Sequence, residues 1–214
     1  MGCQKKKEDP ASLPVENTTH IEEKKTPITI STPTPIPLFT PSPTPTPVIS
    51  TSLPRQKKPI PANTFTLQSL EDNIYTVTIN DNRCSIKESD KAITILTFFT
   101  TWCPPCMTQL SYLDDLQKRY TKDMLLCAIL INDPIQKNAL KALLLQKHIF
   151  CFTAYGKENT FLAKKITTNL QLSKNFPIPL TVIYVKGNYF THYEGIVPIE
   201  MIEYDIKEAQ KLLQ

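Results

Sequence analysis

The chain of 214 residues is short of several things. Arginine is scarce: lysine and arginine total 24 against 20 acidic residues, and only Arg55, Arg83 and Arg119 are arginine. The net charge of +4 is spread thinly, with no dense basic face, so a nucleic-acid partner has little support. As it stands, the sequence shows no signal peptide and no apolar run long enough for a transmembrane helix. It holds one Cys-x-x-Cys pair and no further His/Cys partners at zinc-finger spacing, which argues against a metal site. Glycine is almost as rare, at 4, while proline reaches 19 and is distributed very unevenly.

That unevenness divides the chain. Residues 1–61 are polar, rich in Thr and Pro and nearly free of aromatics, and most of the prolines fall between Pro10 and Pro61. STPTPIPLFTPSPTPTPVIS, residues 31–50, is close to an alternating X-Pro repeat. Proline fixes φ and lacks an N–H, so helix and inner strand are both excluded there. A disordered spacer of polyproline II character is expected, and residues 27–61 would reach roughly 100 Å at about 3.1 Å per residue. Residues 62–214 carry almost all the aromatics and can bury a core unaided.

Within that second part, extended stretches are expected near 64–70 and 74–87. ITILTFF (93–99) has the β-branched and aromatic content of a buried strand. Leu110, Leu113 and Leu116 place a helix over 107–120. MLLCAILI (124–131) is a second apolar run, and Asp133-Pro134 opens a helix to about Lys147. A short extended piece at 149–153 and a helix near 158–168 follow. LTVIYV and YFTHYE flank Lys186-Gly187-Asn188, a hairpin signal, and Pro198 starts a terminal helix. Parallel crossovers together with one hairpin give a mixed α/β sheet.

The chemistry centres on FFTTWCPPCMTQL, residues 98–110. Cys103 ends a strand and Cys106 lies in the first turn of a helix, where free N–H groups and the helix dipole favour a thiolate. Pro104 and Pro105 suit a helix start, where a missing N–H costs nothing. A structural disulfide closing so short a loop would stabilise little. A redox-active dithiol is the favoured reading over that and over metal. The other thiols are Cys84, Cys127 and Cys151; Cys127 sits in an apolar strand and reads as inert core.

WCPPC with its helix, and FPIPLTVIYVKGNYFTHYEG after it, resemble the thioredoxin superfamily. The closer likeness is to its TlpA/ResA-like branch of membrane-tethered thiol-disulfide oxidoreductases, over about residues 62–214. The resemblance implies a thioredoxin-like mixed central sheet flanked by helices. It also implies that Cys103 is the nucleophile, Cys106 the resolving thiol, Trp102 a side chain packed beside them, and Pro179 a cis residue after Ile178 facing the disulfide. No cofactor is expected beyond the Cys103–Cys106 disulfide. The implied partners are protein thiol and disulfide substrates, such as apocytochrome c, and a membrane thiol reductase as electron donor. Two departures stand out. Branch members often carry a glutamate where this chain has Gln109, and thioredoxins bury an aspartate where it has Thr97. Glu158 is the remaining candidate for the missing base, while His148 and His192 read as a helix-end and a strand-face residue. Gly2-Cys3 resembles the end of a bacterial lipobox, so Cys3 is a candidate lipidation site anchoring the protein at the periplasmic face of a membrane. The rival readings are a DsbA-like oxidase or disulfide isomerase, and a thioredoxin-fold docking module with idle cysteines.

Overall fold

The computed structural model describes residues 63–213; Cys3 and the Pro/Thr-rich segment lie outside them. In chain order the elements are β1 (Thr64–Gln68), β2 (Ile74–Asn80), β3 (Arg83–Ile86), β4 (Ile93–Phe99), α1 (Pro104–Arg119) and β5 (Met124–Leu130). Then come α2 (Lys137–Gln146), β6 (Phe152–Ala154), α3 (Glu158–Asn169), β7 (Leu180–Val185), β8 (Asn188–Glu194) and α4 (Ile199–Lys211). The strands form one sheet in the order β1-β2-β3-β8-β7-β4-β5-β6.

β4, β5 and β6 run parallel, while every other pairing is antiparallel. Parallel neighbours need a crossover, and α1 and α2 supply the two that join β4 to β5 and β5 to β6. A strand covered on both faces reads as a continuous apolar run, and every residue of β5 is buried. Side chains alternate along β4. Ile93 and Ile95 pack with Leu113, Leu116, Ile202 and Ile206 of α1 and α4. Leu96 and Phe98 pack on the opposite face with Leu162 and Ile166 of α3 and with Leu67, Val77 and Ile79 of the first two strands.

The mixed α/β expectation holds, with local differences. The stretch 74–87 is two strands, broken at Asp81, whose φ of +49° suits the short polar side chain of a turn residue. The sheet therefore contains the antiparallel pairs β1–β2 and β2–β3 besides the expected β7–β8 hairpin. That last turn has positive φ at both Lys186 (+47°) and Gly187 (+77°), the signature of a primed hairpin turn. α1 starts at Pro104, earlier than the leucine spacing indicates, because the two prolines occupy its first two positions. α2 starts at Lys137, three residues after Pro134, because Asp133 is engaged elsewhere.

Candidate active site

Four residues connect the end of β4 to the start of α1. Cys103 is the N-cap of α1, extended at φ −103° and ψ 97°, and its Sγ accepts a hydrogen bond from the Cys106 N–H at 3.2 Å. Pro104 and Pro105 have no N–H to offer, so the Cys106 amide is the first helix donor able to reach that sulfur. Cys103 and Cys106 are joined as a disulfide with Cα atoms 5.3 Å apart. The two are not equivalent: Cys103 is 8 % exposed and Cys106 1 %. Both pack into an apolar cluster with Phe99, Met107, Leu110 and Leu130.

The Ile178–Pro179 peptide bond is cis, as the resemblance implies. The Ile178 carbonyl oxygen lies 4.0 Å from Cys103 Sγ, which places the segment leading into β7 against the disulfide. Pro104 and Pro105 are exposed beside it, Ile178 is half-buried and Pro179 buried. Trp102, the residue before Cys103, is 65 % exposed, so its ring is open to whatever docks there.

The two positions where acids are absent come together. Gln109 is buried on α1, one turn after Cys106, and its Nε2 donates to Thr181 Oγ1 at 3.1 Å. Its Oε1 accepts from the Val197 N–H at 3.0 Å. Thr181 Oγ1 lies in turn 3.2 Å from Thr97 Oγ1 across the β4–β7 pair. A neutral, buried chain of hydrogen bonds thus links α1, β7, β4 and the loop after β8. Glu158 does not replace the missing acid: its carboxylate accepts the Thr66 N–H of β1 at 2.7 Å. His148 follows α2 with a φ of +55°, and His192 on β8 meets the Tyr189 hydroxyl at 2.7 Å through Nδ1, the helix-end and strand-face positions expected for them.

Sequence reasoning missed Asp133. One of its oxygens accepts both the Thr101 N–H, at 2.6 Å, and the Thr101 hydroxyl, at 2.7 Å; the other accepts the Ile135 N–H at 3.0 Å. Partial burial pushes this carboxyl up, and the bonds from Thr101 and Ile135 more than offset it, leaving it below the usual range. The only signal was an Asp before Pro, which reads equally well as a helix start. Thr181, two residues after Pro179, gave no signal of its own.

Among the described residues, Cys84, Cys127 and Cys151 are unpaired. Burial raises Cys84 to about 12 and holds Cys127 far above the ordinary thiol value. Cys151 is raised too, by burial first and then by the Asp114 carboxylate, which accepts the backbone N–H groups of Phe150 and Cys151. None has the electropositive surroundings of a reactive thiol.

The Redoxin family profile matches residues 55–209, most of the chain. The chain belongs to the Redoxin family. Among solved structures it is similar to a thioredoxin-family thiol:disulfide interchange protein from Chlorobium tepidum TLS. The TM-score is 0.54 at 19 % identity, covering 72 % of this chain and 97 % of that one. A DsbF homologue from Corynebacterium diphtheriae superposes with a TM-score of 0.51 at 17 % identity, over 68 % of this chain and 84 % of that one. At such identities these neighbours establish the thioredoxin-like fold. No curated protein sequence gives a significant match. Membership of the Redoxin family, with a disulfide capping α1, makes the chain a thiol-disulfide oxidoreductase.

Proposed function

We propose that the protein is a reductase of extracytoplasmic protein disulfides. The observation that carries the reading is the Cys103–Cys106 disulfide at the N-terminus of α1, its outer sulfur close to the surface and held by one amide. In the reduced protein the Cys103 thiolate attacks a substrate disulfide. One substrate sulfur leaves as a thiolate and takes up a proton, and a mixed disulfide remains on Cys103. Cys106 then loses its proton to solvent and attacks Cys103 Sγ, releasing the second substrate thiol. Two electrons pass from the protein to the substrate, the two substrate thiolates take up their protons from solvent, and the Cys103–Cys106 bond re-forms. A membrane thiol reductase would restore the dithiol.

The direction of flow rests on what surrounds Cys103. A strongly oxidising disulfide is one whose reduced form is stabilised, largely through its thiolate. Among the described residues, the Cys106 N–H alone donates to Cys103 Sγ, and neither intervening residue carries a charge. A moderate thiolate and a comparatively stable disulfide follow. Exposed Trp102, Pro104 and Pro105 present an apolar, uncharged rim suited to an unfolded cysteine-bearing polypeptide such as an apocytochrome.

Cys3 would carry lipid at the membrane, with residues 10–61 as the spacer that lets the domain reach its clients. Insulin reduction driven by dithiothreitol tests the activity: the wild type accelerates precipitation of the insulin B chain, and a wild type no faster than dithiothreitol alone refutes it. Membrane fractionation tests the anchor. The wild type should sediment with membranes and Cys3→Ser should be released; a soluble wild type contradicts the idea.

A further inference from the structure

The four-residue connection from β4 to α1 has few anchors of its own. The Cys103 N–H reaches the Thr100 carbonyl only at 3.4 Å, and the Thr100 hydroxyl is buried without a partner. Trp102 faces solvent, and the two prolines that follow Cys103 donate nothing. The strong contacts are those of Thr101, whose N–H and hydroxyl both end on one oxygen of Asp133.

Asp133 is itself well held. Its second oxygen takes the Ile135 N–H at 3.0 Å, closing a turn in the loop between β5 and α2. The Ile135 carbonyl accepts the Tyr155 hydroxyl at 3.0 Å, and Asn132, whose φ is +47°, accepts the Thr160 hydroxyl at 3.2 Å. The start of this loop is pinned in turn by the Asn159 amide on the Leu130 carbonyl at 2.8 Å. The loop is therefore fastened to α3 and to the segment after β6, and Asp133 passes that rigidity to the residue two places before Cys103. A charge-assisted pair of bonds at 2.6 and 2.7 Å is the strongest contact in the connection.

We propose that Asp133 is a positioning residue for thiol-disulfide exchange: through Thr101 it fixes the connection that aims Cys103 Sγ at the incoming disulfide. Exchange needs the attacking sulfur in line with the bond it breaks, and such alignment is sensitive to displacements of an ångström. Asp133 does not touch the reacting sulfurs; it acts through the backbone of Thr101. The inference rests on the oxidoreductase reading above and adds to it a residue outside the Cys-x-x-Cys motif.

The test is the rate at which the pre-reduced full chain reduces insulin, measured well below the melting temperature of each variant, with that temperature recorded alongside. Asp133→Ala should lower the rate at least about tenfold, within the roughly 100-fold that an ångström of misplacement costs. Asp133→Asn keeps an oxygen for Thr101 but leaves the Ile135 N–H unpaired. It should recover most of the rate without recovering all of the thermal stability, which a purely structural role would not do. Thr101→Val, which removes only the hydroxyl bond, should slow exchange several-fold and serves if Asp133→Ala does not fold. Unchanged rates in Asp133→Ala, or in Thr101→Val where the former is unfolded, overturn the inference. So does an Asn variant whose rate stays as low as that of Ala. A wild type that reduces no insulin would instead sink the oxidoreductase reading, whatever Asp133 does.

Discussion

Cys103 and Cys106 differ in surroundings, and the difference favours Cys103 as the first to react. Cys103 caps the helix with its sulfur near the surface, while Cys106 lies beneath it at 1 % exposure. An incoming disulfide meets Cys103 first. Cys106→Ser should therefore accumulate mixed disulfides with client proteins, visible on non-reducing gels, and Cys103→Ser should not; equal trapping by both would contradict the assignment. The buried thiols behave oppositely. Cys84 is raised by burial to about 12, so its neutral form is favoured in the folded state. Its contribution to stability is complete below the ordinary thiol value near 8.5 and is lost as pH climbs from there through about 12. Buried Tyr184 is shifted upward as well and acts in the same sense. Urea midpoints should fall steadily above about pH 9, and Cys84→Ala should flatten that fall. An unchanged slope in the variant would show that Cys84 ionises freely in the native protein.

At the level of elements, the polar chain through Gln109 takes the place of an acid. It holds α1 to β7 and to the loop after β8 with neutral bonds only. Gln109→Ala would leave the part-buried Val197 N–H without its partner and the Thr181 hydroxyl with Thr97 alone, at about 1–3 kcal/mol of unfolding free energy, with denaturant titration as the measure. A loss below about 0.5 kcal/mol would show that the bridge is not a structural tie. This region also shows where a sequence is legible. The β4 and β5 strands and the cysteine pair were readable because burial on both faces leaves an unbroken apolar run, and because helix N-termini select a particular chemistry. The Ile178–Pro179 segment was readable through its resemblance. The β2–β3 break was not, because Asn80-Asp81-Asn82 interrupts a strand pattern without Gly or Pro. The role of Asp133 was hidden for a different reason: its partner Thr101 lies 32 residues away, and only the fold brings the two together.

Across the whole molecule, the parts that bear on reactivity lie close to Cys103: the helix N-terminus, the cis-proline segment and the Asp133 clamp. The Asp133 carboxyl sits below its usual range, so the clamp is intact at neutral pH and is lost only as acid protonates that group. Trp102, Pro104 and Pro105 beside the disulfide carry no charge, and one amide meets the Cys103 sulfur. Such a site should yield a reductant of moderate thiolate stability. The most direct test is the equilibrium reduction potential of the full chain in glutathione buffers, followed through the fluorescence of its single tryptophan, Trp102. A value near the thioredoxin end, about −270 mV, is the expected result; one more positive than roughly −180 mV, where disulfide isomerases sit, would contradict the reductase account.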